Sequence, residues 1–411
     1  MSAPIPTSDD RFTRPIAAIL FFSIAIMVVG QSFLFTILPP IGRQIGLSEF
    51  QIGLVMSIHG LVMLFAGPWW GALSETVGRR RVILIGAALY TISILLFGLV
   101  IQAALGAAIT GTLTMWLLLA SRSVFAIGAG AVLPASMAMA ADLSSRPNRL
   151  KAMSLLATAV SAGAILGPGT SAVFAGLGLA APFYFIAVGG LVAWVTSRAM
   201  LPVIRPTMHS TSPSFRNLLR GRVLLIAVAS WFFMCGTYGI FSILGFRVQD
   251  HFALEAIEAA RLMGLGLMGA AGVNVIMQSF VIRRLKIGTK ALVAIGVPLT
   301  IASFVFTWTA NSELAFVGSL MLNGFASSFV NPAFTTALSL SVGASGQGRL
   351  AGLSTSMQAL AFLLGPVSAA TMYAAAPMAP FIVGSTMTTV AMGLMFVLPK
   401  QSAAEAAESH E

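Results

Sequence analysis

The sequence has 411 residues, of which 57% are hydrophobic and only 9% are charged, whereas a soluble domain is typically about 25% charged. A soluble fold cannot bury this much apolar surface, so the composition excludes a water-soluble globular protein and indicates a membrane protein. The formal net charge of +11 does not indicate nucleic-acid binding, because the basic residues lie in short segments between apolar runs.

Apolar runs of about 20 residues, each long enough to cross a bilayer as a helix, recur along the chain. The first run is too long for a signal-peptide core, and we interpret it as a retained helix. We predict an all-α integral membrane protein with twelve transmembrane spans, at 15–38, 50–73, 82–103, 110–139, 151–174, 180–201, 222–246, 262–282, 290–309, 314–340, 350–373 and 378–398.

The distribution of basic residues predicts the orientation, because positive charge is retained on the cytoplasmic side of a membrane. If the N-terminus is cytoplasmic, the opposite side carries only Arg43, Arg247 and Arg261. Every other basic residue outside the spans then faces the cytoplasm. We therefore expect both termini to be cytoplasmic.

A polar segment that contains proline divides the spans into two groups of six. The predicted units are an N-terminal bundle (1–201), a cytoplasmic linker (202–221), a C-terminal bundle (222–400) and a disordered cytoplasmic tail (401–411). An internal repeat supports this division, because a shift of 198 residues places Gly167-Pro168 on Gly365-Pro366 without a gap. The repeat predicts two pseudo-symmetric six-helix bundles, and such parallel halves hold a substrate site between them.

The segment after the second span fits the pattern G-x-L-x-[D/E]-x-x-G-R-[K/R]. Its first glycine is expected to allow two helices to approach closely, and its second glycine to form a tight turn. Its arginines are expected to hold the loop in the cytoplasm. Its carboxylate can interact with a nearby helix N-terminus or a basic group. We interpret it as a latch that holds the cytoplasmic side closed, formed by Gly71, Glu75, Gly78, Arg79 and Arg80.

The fifth predicted span contains the sequence GAILGPGTSAVFAG, from Gly163 to Gly176. Gly167 and Pro168 at its centre are expected to bend the helix. The two terminal glycines are expected to allow tight helix packing.

The fourth predicted span contains Arg122, the only Lys, Arg, Asp or Glu between Val82 and Ala141. It lies about 10 residues, or about 15 Å, from the nearer end of its helix, which places it close to the bilayer centre. A charge at this depth is costly and usually faces a cavity or a partner. The repeat places Leu320 at the corresponding position, so the fold itself does not require an arginine.

These three motifs resemble those of the major facilitator superfamily, and the chain is most similar to its twelve-span drug:proton antiporters. Glu75 stands where the family usually has Asp, and Thr76 where it often has Arg. The resemblance implies a secondary active exporter of the bacterial inner membrane that works by alternating access. It would move a lipophilic drug, or an anionic metabolite such as a siderophore, in exchange for protons. The family uses the arginine that matches Arg122 in proton transfer.

Such antiporters usually keep a carboxylate within the membrane, often in the first helix. No acidic residue of this sequence falls well inside a predicted span, and the first span offers Gln31 instead. Three possibilities remain open. Asp142 or Glu75 at the cytoplasmic mouth could carry the proton. His59 could carry it, because an imidazole titrates near neutral pH. Alternatively, an anionic substrate neutralises Arg122.

Further polar and aromatic residues lie in spans that the family uses to line its cavity, although polar residues inside a membrane also bridge helices. Together with Arg122, the predicted substrate-binding residues are Gln31, Tyr238, Phe241, Asn274, Asn323, Asn331 and Gln358.

The sequence contains no ATP-binding loop, metal-ligand cluster or catalytic set, so we expect no enzyme activity, cofactor or metal. The expected partners are a small-molecule substrate, protons and the lipid bilayer, without nucleic acid, and the expected state is a monomer. The alternatives are a receptor or sensor with a transporter fold and a facilitator that is not coupled to protons.

Overall fold

The computed structural model describes residues 11–145, 148–203, 221–284, 287–341 and 347–397. Within these ranges there is no β-strand, and the thirteen α-helices are α1 (Arg14–Ser32), α2 (Leu34–Gln44), α3 (Glu49–Val77), α4 (Arg79–Leu105), α5 (Gly111–Leu143), α6 (Arg149–Phe174), α7 (Ala181–Met200), α8 (Gly221–Phe252), α9 (Ala256–Ile276), α10 (Thr289–Thr309), α11 (Glu313–Ser339), α12 (Gln347–Ala375) and α13 (Ala379–Val397). The central part of the predicted linker, residues 204–220, and the predicted tail lie outside the described residues.

Twelve of the helical segments are long and apolar enough to cross a membrane, which confirms the predicted number of spans. The first span, Arg14–Gln44, contains both α1 and α2, which are separated at Phe33. Most helices extend beyond their predicted apolar run. For example, α8 continues to Phe252 rather than to residue 246, because backbone hydrogen bonding does not stop where hydropathy falls.

The helices alternate in direction, so the bundle has two ends. We call them the Arg43 end, which holds the connections after α2, α4, α6, α8, α10 and α12, and the Arg79 end, which holds the connections after α3, α5, α7, α9, α11 and the N-terminus of α1. Most basic residues lie at the Arg79 end. Exposed apolar side chains such as Ile92, Leu99 and Val188 cover the lateral surface between the ends, as contact with lipid requires.

Two groups of six spans form the fold, as the repeat predicts. In the first half α5 packs against α3 and α4, and α1 packs against α6 and α7. In the second half α8 packs against α12 and α13, and α11 packs against α9 and α10. The halves meet mainly where α3 contacts α12, where α6 contacts α9, and where α2 contacts α8 and α9.

The two Gly-Pro segments occupy equivalent places at these contacts. A Cβ atom on Gly264 of α9 would lie 2.7 Å from the carbonyl oxygen of Pro168 in α6. Likewise, a Cβ atom on Gly53 of α3 would lie 2.9 Å from the carbonyl oxygen of Pro366 in α12. In each case the proline-bearing helix of one half meets a glycine of the other half. The internal repeat of the sequence is therefore also visible in the contacts between the two halves.

Candidate functional site

Near the middle of the bundle, α3 and α12 approach through their backbones. A Cβ atom on Gly60 would lie 2.8 Å from the carbonyl carbon of Phe362, and it would also collide with backbone atoms of Ala359 and Leu363. On the Arg43 side of this point, the Ser57 hydroxyl accepts a hydrogen bond from the backbone N–H of Val367 at 3.0 Å. This contact brings the neighbour of Gly60, His59, against the second half.

A continuous set of rings crosses between the halves at this level. We call it the aromatic layer, and it consists of Phe35, His59, Phe125, Tyr238 and Phe362. The His59 ring lies 5.9 Å from Phe125 and 5.6 Å from Phe362, measured between centroids. Phe362 stacks on Tyr238 at 4.1 Å and lies 5.8 Å from Phe35. The layer thus joins α2, α3 and α5 of the first half to α8 and α12 of the second.

Arg122 of α5 lies beside the aromatic layer and is only 3% exposed. The carbon at the centre of its guanidinium lies 4.7 Å from the centroid of Phe125. Its Nε atom is enclosed without a hydrogen-bond partner, and no ion pair of this arginine occurs among the described residues. The Nδ1 atom of His59, which is 2% exposed, is likewise enclosed without a partner. Two nitrogen-rich side chains therefore contact the same phenylalanine ring with unused hydrogen-bonding capacity.

The predicted residues of α8 and α12 form a more accessible rim beside this layer. The exposed amide of Gln358 donates a hydrogen bond from Nε2 to the Tyr238 hydroxyl at 3.1 Å. Phe241 lies one turn further along α8 and is half-buried, as is Gln31 on α1. The structure therefore brings Arg122, His59, Tyr238 and Gln358 together around the aromatic layer.

The three predicted asparagines lie elsewhere. Asn274 donates to the carbonyl oxygen of Gly324 at 3.1 Å and so links α9 to α11. Asn323 is buried and donates to the Ser303 hydroxyl at 2.9 Å, which links α11 to α10. Asn331 is exposed, and its side chain makes no hydrogen bond within the described ranges. Helix bridging, the alternative weighed for such residues, therefore describes Asn274 and Asn323.

Two glycines of the fifth-span motif pack against α1 of the same half, and a third meets α9 of the second half. A Cβ atom on Gly163 would lie 2.6 Å from the carbonyl oxygen of Ala25 in α1. One on Gly167 would lie 2.9 Å from the carbonyl oxygen of Val29, and one on Gly176 would collide with the Arg261 guanidinium. These contacts agree with the tight packing expected of the motif. With Pro168 against α9, this face of α6 contacts both α1 and the second half.

At the Arg79 end, Gly78 has φ of 95° and forms the turn between α3 and α4, as predicted. Arg79 donates to the hydroxyl of Ser74, and its Nε lies 3.5 Å from Oδ2 of Asp142. Glu75 is exposed and has no partner among the described residues. The carboxylate that pairs with the arginine of this loop is therefore Asp142 of α5. The sequence contains no signal for that pairing, because the two residues are 63 positions apart.

Arg80 makes a second contact at this end, from Nη2 to the carbonyl oxygen of Arg198 at 2.5 Å. It joins the start of α4 to the end of α7, within one half. In contrast, α3 has open space towards the other half here. Gly67 and Gly71 lie on the same helical face as Gly60, yet a Cβ atom on either would meet nothing within 4 Å. The close approach of α3 to α12 therefore ends between Gly60 and Gly67.

The Arg43 end is closed by an ionic network that the sequence does not indicate. Arg43 of α2 pairs with Glu49 at 2.8 Å and with Asp250 of α8 at 2.5 Å. The second oxygen of Asp250 accepts a hydrogen bond from the Tyr373 hydroxyl at 2.7 Å. The Arg43 guanidinium also lies 4.8 Å from the centroid of Phe246. Since Arg43 belongs to the first half and Asp250 to the second, this network joins the halves.

Protein ligands for metal ions are mainly His, Cys, Asp and Glu side chains. Over the described part of the chain, no group of three or more of them could hold a metal ion. The described acids all lie near helix ends, at Glu49, Glu75, Asp142, Asp250, Glu255, Glu258 and Glu313. The chemistry of the central region therefore depends on Arg122, His59 and the aromatic layer.

Comparison with known proteins gives a family match and two similar bacterial drug-resistance proteins. Residues 20–366 match the family model described as Major Facilitator Superfamily. Multidrug resistance protein 2 of Bacillus subtilis (strain 168) is 25% identical over 398 residues, which covers 93% of this chain and 95% of that protein. Quinolone resistance protein NorA of Staphylococcus aureus is 26% identical over 200 residues, which covers 49% of this chain and 48% of NorA.

Two solved structures share the fold. A bacterial homolog of the human lysosomal transporter Spinster, in an inward-facing and occupied conformation, has a TM-score of 0.72 at 15% identity, and the match covers 95% of this chain and 97% of that one. The human organic anion transporter MFSD10 has a TM-score of 0.64 at 22% identity, over 93% of this chain and 99% of that one. At such identities, the likeness shows the fold alone.

Proposed function

The chain belongs to the major facilitator superfamily, and from this premise we propose that it is a secondary active exporter of small amphiphilic organic molecules, driven by exchange with protons. It is an integral membrane protein of a transporter family and not an enzyme. We place it in the bacterial plasma membrane, as expected for a relative of bacterial drug-resistance proteins.

The proposed orientation places the Arg79 end in the cytoplasm. Arg79, Arg80, Arg81 and Lys151 lie at that end, and positive charge is retained inside. In this orientation the structure is closed on the outer side by Arg43 and Asp250. The cytoplasmic parts of α3 and α12 are separated, so substrate would enter from the cytoplasm.

The observation that carries the proposal is the buried Arg122, which has no ion-pair partner in the described part of the chain, beside a set of rings that joins the halves. In parallel-repeat transporters the substrate site lies near the midplane, between the halves. A ligand at this level contacts groups from both halves and therefore changes the energy of their interface. An unpaired charge at membrane depth is itself a functional-site hypothesis.

Alternating access requires that the contacts that close one end of the bundle break as contacts that close the other end form. We propose that the Arg43–Asp250 pair opens while Gly67 and Gly71 come against α12. Glu75 lies one turn beyond Gly71 and is exposed in the present conformation. In the opposite conformation it would reach a basic group or helix N-terminus of the second half and complete the predicted latch.

The proton has two candidate routes. His59 lies in the aromatic layer beside Arg122. Asp142 lies 20 residues beyond Arg122 on α5, or about 30 Å along the helix, and it pairs with Arg79 near the exposed Glu75. A proton at His59 acts directly on the interface between the halves, whereas a proton at Asp142 or Glu75 acts on the latch.

The names of the relatives support the substrate class. They describe resistance to multiple drugs and to quinolones. We therefore propose aromatic amphiphiles rather than sugars or inorganic ions. Half-buried Phe241, near Tyr238, adds apolar surface beside the proposed site.

The test is transport into everted membrane vesicles that contain the protein. A fluorescent quinolone is expected to accumulate when the vesicle interior is acidic, because the interior corresponds to the outside of the cell. Collapse of the pH gradient with an ionophore is expected to stop accumulation. Vesicles without the protein are the control. Uptake that is unaffected by collapse of the gradient rejects proton exchange and favours the uncoupled facilitator.

A further inference from the structure

The central region carries a positive charge, on Arg122, that no carboxylate of the described ranges faces. The acids nearest to Arg122 along α3 and α5 are Glu49, Glu75 and Asp142, and each lies at a helix end. Two of them are paired already, Glu49 with Arg43 and Asp142 with Arg79. Within the ranges that the structure describes, the guanidinium of Arg122 has no anionic neighbour, and its Nε has no hydrogen-bond acceptor.

An uncompensated guanidinium in this place selects ligands by charge. Burying a charge is costly unless it is paired and hydrogen-bonded. A carboxylate or sulfonate can supply both, because it accepts two parallel hydrogen bonds from the planar fork of an arginine. A cation at the same place would be repelled, and no described acid is near enough to neutralise it. The site therefore favours anions over cations.

The surroundings of Arg122 select the body of the ligand. Phe125 lies under the guanidinium, and Phe362 stacks on Tyr238 at 4.1 Å on the other side of His59. Flat rings pack well against such surfaces in stacked or edge-to-face geometry. The Tyr238 hydroxyl and the exposed Gln358 amide add hydrogen-bonding groups at the accessible rim. A flat aromatic body fits this mixture better than a branched or strongly polar one.

We propose that Arg122 and the aromatic layer form a binding site for planar organic anions, with the carboxylate or sulfonate on Arg122 and the ring against the layer. The inference rests on the proposed function, because it names the substrate class of that same central site. It separates this protein from exporters of lipophilic cations. Anion binding also explains why Arg122 occupies the position that corresponds to Leu320 in the internal repeat.

The site has a consequence for proton coupling. A proton on His59 would add a second positive charge beside Arg122, and this charge would tighten the binding of an anion. Protonation of His59 and binding of the anion would therefore favour each other. Exchange of an anion for a proton in the opposite direction would then use Glu75 or Asp142 at the Arg79 end.

The experiment is a binding titration of the full chain in lipid nanodiscs without any gradient. The probes share one ring system and differ in charge: naphthalene-2-carboxylate, naphthalene-2-carboxamide and naphthalen-2-ylmethylammonium. The carboxylate is expected to bind at least about tenfold more tightly than the ammonium. Arg122→Ala is expected to weaken carboxylate binding by about tenfold to a hundredfold, as the loss of a charged hydrogen bond implies.

Two further variants keep the test independent of folding. Arg122→Lys keeps the charge without the fork and is expected to have intermediate affinity. Arg247→Ala removes another buried arginine, which donates to the carbonyl oxygen of Trp308 at the Arg43 end, and is expected to bind the carboxylate as the parent does. Size-exclusion profiles and helicity are compared for all variants.

Equal binding of the carboxylate and the ammonium overturns the proposal, and so does unchanged carboxylate affinity in both Arg122 variants. Absence of binding of all three probes at millimolar concentration overturns it as well. The outcome is separate from that of the transport assay. Selective anion binding without transport in vesicles would reject the proposed exporter and support the anion site. Transport without selective binding of the anion would reject the anion site and support the exporter.

Discussion

Gly60 and Phe362 meet through the backbone: a Cβ atom on Gly60 would lie 2.8 Å from the carbonyl carbon of Phe362. Because His59 precedes Gly60 in the chain, this approach seats the imidazole against the second half. The same face of α3 is free at Gly67. On this face of α3, Gly60 therefore packs against α12 in the present conformation, whereas Gly67 faces open space.

We expect Gly60→Ala and Gly67→Ala to shift the conformational equilibrium in opposite directions. The methyl group of the first collides with α12 as it now stands, so the Arg43 end should open. The methyl group of the second is accommodated here and should oppose closure of the Arg79 end. The measurement is the distance between spin labels on Ala108→Cys and Asn311→Cys, which are exposed at the Arg43 end of the two halves.

The labelled chain carries Cys235→Ser, which removes its single cysteine. Relative to this parent, the distance distribution should lengthen in Gly60→Ala and stay the same or shorten in Gly67→Ala. Similar distributions in the two glycine variants would contradict the assignment of this face to alternating contact.

The Arg43–Asp250 pair should contribute to closure of the Arg43 end, but modestly. The two side chains are 24% and 45% exposed, and exposed pairs typically contribute about 0–1 kcal/mol. Asp250→Asn should therefore increase the open population by no more than about fivefold, measured with the same spin-label pair. The effect of high salt on the parent should resemble that of the mutation, because salt screens exposed charges.

Tyr373→Phe serves as the matched control. It removes the hydrogen bond to Asp250 and leaves the ion pair intact, so its shift should be smaller than that of Asp250→Asn. A population of the open state that is equal in parent and Asp250→Asn would show that packing alone closes this end.

The affinity for an aromatic anion should rise as the pH falls far enough to protonate His59, because the imidazole then gains a positive charge beside the ligand. Around the His59 ring, α5 supplies Arg122 and Phe125, α12 supplies Phe362, and α4 supplies Tyr90 beyond Phe125. Protonation of His59 is thus the change in charge expected beside the ligand as the pH falls. The protonated state has more positive charge beside the ligand, so binding is tighter at the lower pH.

Calorimetric titration of naphthalene-2-carboxylate at several pH values measures this effect. In His59→Gln the dependence should be lost, and the neutral carboxamide should show little dependence in either protein. An anion affinity that weakens as the pH falls would contradict the sign of the linkage.

The carboxylates of the Arg79 end should have different roles. Glu75→Gln removes a side chain that has no described partner in the present conformation, so thermal stability should change by less than about 0.5 kcal/mol. Its transport rate should nevertheless fall if Glu75 completes the latch in the opposite state. Asp142→Asn, which breaks the pair with Arg79, should lower stability as well as transport. The measurements are thermal unfolding in detergent and uptake into everted vesicles.

Much of the candidate site could be predicted from single residues, because their chemistry is anomalous for the membrane. Arg122 and His59 are conspicuous in apolar runs, and both lie in or beside the aromatic layer. Asn274 and Asn323 are equally polar, yet they bridge helices. Polarity alone does not distinguish these cases, since a hydrogen bond to a neighbouring helix and one to a ligand have the same sequence pattern.

The all-α membrane fold, its twelve spans and its two halves could be predicted from the amino-acid sequence. Hydropathy over about 20 residues and the 198-residue repeat are properties of the chain that need no contact information. The side chains and backbone groups that come into contact could not be predicted in this way. Arg43 with Asp250, Arg79 with Asp142, and Gly60 with Phe362 are far apart in the chain. Their pairing depends on the packing of whole helices, and this packing leaves Arg122 without an acidic partner among the residues that the structure describes.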